Sequence, residues 1–321
     1  MICTLCPRRC GAERTEAEGH GFCGMPAGLR VARAALHLWE EPPLSGTRGS
    51  GTVFFSGCTL RCCYCQNREI SAGGFGRAIT TERLREIFEE LIAQGAHNIN
   101  LVTPTHFLPW ILPALEPKLP VPVVYNCGGY ESVETLRLLE GKVDVYLPDL
   151  KYADAALAAR LSAAPDYFPA ATAAIREMFR QTGPYVMADG LLKRGVMIRH
   201  LVLPGQPNNT RRCIDWVAET FSPGQVLFSL MSQYTPQPGA DGPLGRHVTA
   251  AEYRSAAAYM ENCGIIDGFI QERTAAREEY TPPFDLTGVL WAGARDFHRR
   301  HKRPEGITRS IHLAYFNKNS P

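Results

Sequence analysis

Six short apolar runs, rich in β-branched and aromatic residues, recur along the chain, and each is followed by a segment with helical spacing. The runs cover 52–56, 98–102, 121–125, 143–147, 195–203 and 225–230. Between the first two, Leu84, Ile87, Phe88, Leu91 and Ile92 repeat at helical intervals after Thr80, and Gly95 supplies a stop. Further helical patterns cover 107–117, 132–140, 153–180 (as two helices) and 210–221, and another opens at Thr249, which forms a capping box with Glu252, and ends near Gly264. Strands alternating with helices predict an α/β fold with a parallel sheet and right-handed crossovers. In such folds functional side chains gather where strands end and loops begin. That singles out Thr103-Pro104-Thr105-His106, Asn126-Cys127-Gly128-Gly129, Pro148-Asp149-Leu150-Lys151 and Met231-Ser232-Gln233-Tyr234.

Two stretches fall outside the alternation, and both carry cysteine. Cys58, Cys62 and Cys65 stand in a C-x3-C-x2-C spacing directly after the first strand. Four-cysteine sites are coordinatively complete, whereas three local thiolates leave one position open for a substrate or cofactor. The spacing alone admits zinc or an iron–sulfur cluster. Cys63, adjacent to a ligand, is expected to be a buried free thiol, because one loop does not readily aim successive side chains at one metal. Earlier, Cys3, Cys6, Cys10 and Cys23 crowd into about twenty residues with Pro7, Gly11, Gly21 and Gly24, which predicts a loop segment stapled by a second metal. Tetrahedral sulfur ligation suits zinc and a closed iron–sulfur cluster equally. Residues 29–51 read as a strand or two and a flexible connector, with His37 packed or at the surface. Domain bounds are therefore expected at 1–28 (cysteine knuckle), 29–51 (connector), 52–264 (main domain) and 265–321 (a C-terminal segment and basic tail around His298–Arg303).

Composition narrows the function classes. The 321 residues are 45% hydrophobic with a formal charge of +2, which gives no electrostatic bias toward nucleic acid or membrane. No apolar run approaches the roughly 20 residues that span a bilayer. The N-terminus reads as neither a signal nor a transit peptide. Eleven cysteines without a secretion signal predict metal ligation in a reducing cytoplasm rather than a disulfide framework.

The stretch from Gly57 to Asn67 resembles the cluster loop of radical S-adenosylmethionine (SAM) enzymes, closest to the pyruvate formate-lyase activating enzyme group with its G-C-x-x-R-C-x-Y-C-x-N pattern. Gly57, Arg61, Tyr64 and Asn67 match beyond the cysteines. The opening C-x-L-C-P-R-x-C-G-x-x-R, followed by G-x-C-G, is similar to that of the PflX-like branch. The resemblance covers roughly residues 3–288. It implies a partial (β/α)6 TIM-type barrel, a [4Fe–4S] cluster on Cys58, Cys62 and Cys65, and SAM chelated at the open iron. Reductive cleavage of the sulfonium then releases a 5′-deoxyadenosyl radical that abstracts hydrogen, with a flavodoxin- or ferredoxin-type protein as electron donor. It also implies cofactor contacts from Tyr64 and Asn67, from Thr103 and Thr105 in place of a Gly-Gly-Glu segment, from Gln233 or Tyr234 at the adenine or ribose, and from Arg199 at the SAM carboxylate. Asp149 and Lys151 match an Asp-Leu-Lys segment, and Asn126 replaces an aspartate that in relatives helps to hold a monovalent cation.

Three functions follow as expectations. An activating enzyme would abstract hydrogen from a glycine of a partner protein; a related enzyme would modify another peptide or a small molecule; a non-catalytic redox or zinc module would saturate both sites with four cysteines.

Overall fold

The computed structural model describes residues 2–271 and 281–290, and the backbone of 314 and 315. The expected basic run 298–303 lies outside the described residues. Among the described residues eleven strands form one sheet: β1 (Arg30–His37), β2 (Ser50–Phe55), β3 (Arg77–Ala78), β4 (Ile99–Val102), β5 (Val123–Cys127), β6 (Val145–Pro148), β7 (Val186–Ala188), β8 (Leu191–Leu201), β9 (Leu227–Met231), β10 (Gly268–Ile270) and β11 (Ala314–Tyr315). Their order is β3-β1-β2-β4-β5-β6-β8-β9-β10-β11, with β7 paired to β8. Along that order every pairing from β2 to β10 is parallel, while β1 with β3 at one end and β11 at the other join antiparallel, as does β7 on β8. The sheet is not closed, so the six predicted strand–helix units build a partial barrel, and β10 extends it by one short parallel strand.

Both faces of the parallel strands are buried, which accounts for their near-continuous apolar runs. Val123, Tyr125, Tyr146, Val196, Ile198 and Phe228 face outward into a large core with the helices. Their alternates Val124, Val145, Leu147, Met197 and Leu227 face inward and form a separate cluster with Leu44. Local sequence sets the helix ends. Thr80 accepts a hydrogen bond from Arg83 N to open helix Thr81–Ala93. Asp154 caps Leu157 N at the start of helix Ala155–Ser162, and Thr249 and Glu252 form the predicted capping box.

The connector after β1 is not a surface linker. Its short helix Pro42–Ser45 places Leu44 at 0% exposure among the inward residues, and Asn98 Nδ2 donates to Leu44 O at 2.8 Å. Burying such a leucine contributes about 2 kcal/mol. Residues 40–44 thereby form the floor of the barrel interior.

Candidate active site

A cavity of about 240 Å³ opens above that floor. One wall is the loop after β2, with Gly57, Cys58, Cys62, Tyr64, Cys65 and Asn67; the opposite wall is made by strand ends carrying Thr103, Asn126, Asp149, Arg199 and Gln233. The loop is held in an unusual course. Gly57 has φ +79°, and a β-carbon there would collide with the Met25 side chain, so only glycine fits. Arg61 has φ +48°, and its guanidinium donates to Phe22 O at 3.2 Å and Ala72 O at 3.1 Å. The N-terminal segment thus packs directly on the cysteine loop.

All three cysteines are unpaired and line this one cavity. Each sulfur is hydrogen-bonded: Cys58 accepts from Leu60 N at 3.3 Å, Cys62 from Ser162 Oγ at 3.0 Å and Cys65 from Ser71 Oγ at 3.3 Å. Burial, reinforced by the neighbouring Cys62 and Cys65, pushes the Cys58 thiol up to about 12. Three soft donors lining one cavity, each with a hydrogen-bonded sulfur, suit the corner of an iron–sulfur cluster rather than a single ion, and positive irons there would reverse that pKa shift.

Polar side chains occupy the inward positions next to the floor. Arg199 on β8 donates through Nε to Asp149 Oδ1 at 2.9 Å, through Nη1 to Glu40 Oε1 at 3.0 Å and through Nη2 to Asn126 Oδ1 at 2.8 Å. Lys151 Nζ donates to Asp149 Oδ2 at 2.5 Å. Glu40 Oε2 accepts from Asn100 Nδ2 and Asn126 Nδ2, both at 3.0 Å. Burial opposes the charge of Asp149, but Arg199 and Lys151 outweigh it and hold the carboxyl below its ordinary value. Burial likewise opposes the Arg199 charge, and Asp149, Glu40 and Glu41 keep that pKa raised. Glu41 is different. Burial pushes it up to about 7 despite Arg199 and a 2.8 Å hydrogen bond from Ser229 Oγ.

Of the residues expected at the cofactor, Tyr64, Asn67, Thr103, Asn126, Asp149, Lys151, Arg199 and Gln233 line the cavity. Thr103, with φ +58°, is a β-branched residue in the left-handed region, a strained conformation of the kind found at functional sites. Thr105 does not line the cavity; it is buried and donates to Glu131 Oε1 at 2.9 Å. His106 is also buried, with Nε2 2.7 Å from Ser56 O, and burial lowers its pKa to about 4. It therefore supports the strand rather than the chemistry. Cys63 corrects an expectation: it is exposed, because the loop turns it away from the wall that its neighbours form. His37 is half-buried, edge-on to Phe54.

Sequence reasoning missed Glu40, Glu41 and Asn100. Their signal was present: two adjacent acids before Pro42-Pro43 in a linker, and an asparagine inside the apolar run Ile99–Val102. A polar residue at an inward strand position needs a buried partner.

The N-terminal cysteines are arranged otherwise. Cys3 and Cys6 are buried, Cys23 is half-buried and Cys10 is exposed. Burial first, then nearby Glu131, Cys3 and Cys23, push Cys6 up to about 12, although a backbone hydrogen bond opposes them. Arg14, 1% exposed, donates to the carbonyls of Met25, Pro26 and His106 and lies 3.7 Å from Cys3 Sγ. Among the described residues no three His, Cys, Asp or Glu side chains, whether in this segment or in the cavity, are grouped to hold a single metal ion. No helix among them is long and apolar enough to cross a membrane.

The family model of the radical SAM superfamily matches residues 52–217. The chain is 31% identical over 275 residues to an uncharacterized protein of Methanocaldococcus jannaschii, covering 82% of this chain and 75% of that one. Among solved structures it is similar to Streptococcus suis SuiB bound to S-adenosylmethionine, at 14% identity and a TM-score of 0.48, over 69% of this chain and 50% of that one. It is also similar to methylornithine synthase, at 16% identity and a TM-score of 0.46, over 66% of this chain and 60% of that one. The chain thus spans less than two thirds of either solved structure.

Proposed function

Because this chain belongs to the radical SAM superfamily, a superfamily of enzymes, we propose that Cys58, Cys62 and Cys65 hold a [4Fe–4S] cluster and that SAM binds in the adjoining cavity. When bound, that pair supplies a one-electron cleavage of the sulfonium to a 5′-deoxyadenosyl radical, which abstracts hydrogen from substrate. The observation that carries the reading is the single cavity shared by the three sulfurs and the Arg199–Asp149–Lys151–Glu40 charge set.

The chain's own residues bind and orient. Two acids and two cations sum to zero, so the set suits a methionyl group that brings an ammonium and a carboxylate together. Three protein acceptors occupy three of the five N–H groups of Arg199, leaving two for a carboxylate. Asp149 and the Thr103 hydroxyl are suited to the ammonium, with Asn126 and Lys151 holding Arg199 and Asp149 in place. Tyr64, Tyr234 and Gln233 line the side suited to the adenine, and Asn67 steadies the loop. Glu40 supplies from the connector the second carboxylate that Asn126 lacks.

The cavity reaches solvent beside exposed Gln66 and Trp39, which supports a protein or peptide segment as substrate in the manner of activating enzymes. The cysteine pattern at the N-terminus supports the PflX-like branch, a second metal (zinc or iron–sulfur) on Cys3, Cys6, Cys10 and Cys23, and a cytoplasmic setting with a flavodoxin- or ferredoxin-type donor. Anaerobic reconstitution, counts of iron, sulfide and zinc, and a 5′-deoxyadenosine assay with dithionite test the reading. SAM cleavage that survives loss of Cys58 would overturn it. A doublet radical signal after mixing with a glycyl-radical enzyme separates activation from other peptide or small-molecule chemistry.

A further inference from the structure

A chain of three buried hydroxyls ends on one of the cavity cysteines. Ser162, the last residue of helix Ala155–Ser162, is 2% exposed and places Oγ 3.0 Å from Cys62 Sγ. The Tyr152 hydroxyl lies 2.7 Å from Ser162 Oγ, and the Tyr64 hydroxyl lies 2.7 Å from that of Tyr152. Tyr152 is fully buried, and Tyr64 sits in the cysteine loop between Cys63 and Cys65 with its ring against Tyr234.

The direction of the protons follows from the sulfur. A metal-bound sulfur carries no proton and only accepts, so Ser162 donates to it. The Ser162 oxygen is then left to accept from Tyr152, whose hydroxyl also lies within reach of Cys62, and the Tyr152 oxygen to accept from Tyr64. All three O–H dipoles point toward Cys62. A free thiol imposes no such order, because S–H can itself donate to Ser162.

We propose that Ser162, backed by Tyr152 and Tyr64, is a positioning residue that sets the reduction potential of the cluster by holding a polarised hydrogen bond on Cys62. Reduction adds negative charge that spreads onto the cysteine sulfurs, and a donor aimed at one of them stabilises the reduced form more than the oxidised one. Burial strengthens each bond, and a chain of donors polarises its last member. The other two sulfurs accept from Leu60 N and Ser71 Oγ at 3.3 Å, neither of them backed by such a chain in the hydrogen bonds described. Ser162 is also fixed from behind. Arg8 of the N-terminal segment donates to Ser162 O and Ala163 O, both at 2.8 Å, and to Thr59 O in the cysteine loop at 2.5 Å. One guanidinium thus ties the end of the donor helix to the loop that carries the acceptor.

The inference rests on the assignment of Cys62 as a cluster ligand, and the experiment separates the two. Wild type, Ser162→Ala, Ser162→Thr, Tyr152→Phe, Tyr64→Phe and Cys62→Ala are reconstituted anaerobically. Iron is counted, and the midpoint is read by dithionite titration followed by electron paramagnetic resonance. Ser162→Ala is expected to keep its iron and shift the midpoint to more negative potential. Tyr152→Phe should shift it less and Tyr64→Phe least, with Ser162→Thr near wild type. Resonance Raman should show an iron–cysteine stretch raised in Ser162→Ala. A wild-type midpoint in Ser162→Ala with full iron overturns the inference. Should that variant not fold, a wild-type midpoint in Tyr152→Phe does the same. A full cluster in Cys62→Ala overturns the ligand assignment instead.

Discussion

Cys58, Cys62 and Cys65 lie on one wall of an interior cavity with every sulfur hydrogen-bonded, whereas Cys3, Cys6, Cys10 and Cys23 range from buried to exposed in a loop segment bound to the barrel by arginines. The first set is positioned by a strand end and a parallel sheet, elements whose backbone bonds are satisfied among themselves. The second has little regular structure: the isolated bridges Ile2–Glu13 and Arg14–Gly19, and side chains that reach main-chain carbonyls. Cysteines on a loop anchored to a strand end can be held ready before a metal arrives, while a segment without such an anchor draws more of its order from what it binds. The contrast assigns chemistry to the first region and a clamp to the second.

Loss of one sulfur tests the contrast most severely. Cys62→Ala should abolish 5′-deoxyadenosine formation by more than about 100-fold, beyond what loss of a merely orienting residue costs. The exposed Cys10, changed to alanine, should leave the barrel iron in place. Equal loss in both variants would erase the distinction.

On the clamp side, Arg14→Ala strands three buried carbonyls and should cost about 3 kcal/mol in urea unfolding. A change under about 1 kcal/mol would mean that the arginine does not anchor the segment.

Each region also has a buried acid beside it. Glu41 is in the barrel floor; Glu131, near Cys6, is held by Thr105 and Tyr125. Burial raises each from 4.5 to about 7. A carboxyl with a raised folded-state pKa binds more protons in the folded state between those values. Its stabilising effect is therefore complete at low pH and is lost as pH rises from 4.5 through 7. For Glu131, 3% exposed, that loss is about 3 kcal/mol, and for the less covered Glu41 it is smaller. Stability curves of Glu131→Gln and Glu41→Gln should each flatten in that window; unchanged slopes would show that neither acid is protonated in the fold. The smallest effect belongs to Cys63→Ser. As an exposed thiol it should alter neither iron content nor stability beyond about 0.5 kcal/mol.

The six barrel strands and the cysteine loop were legible because each is a local pattern: an apolar run, a helix repeat, a spacing of thiols. Asp149 and Asn126 were legible because barrel geometry puts strand ends at one mouth, and Arg199 through the resemblance to radical SAM enzymes. Thr105 was not separated from Thr103, because a 3-10 turn at Thr105–Phe107 swings it outward, a turn that strand periodicity does not announce. Glu40 and Glu41 were hidden for a different reason. They lie in a segment with the composition of a flexible linker, and only its packing against the inner face of the open sheet turns them inward. β7 and the early start of β8 escaped notice because β7 has only three exposed or half-exposed residues and Lys193 and Arg194 interrupt the apolar run of β8.

Sequence alone determined the parallel α/β order, the cysteine triad and the family chemistry, since these depend on residue type and on neighbours a few positions away. The tertiary structure decided that the connector floors the cavity, that Glu40 completes the charge set of Arg199, and that Ser162, a hundred residues from Cys62, gives it a hydrogen bond. Such contacts arise from packing between distant elements, and no local periodicity encodes which distant side chain will meet a given sulfur or guanidinium.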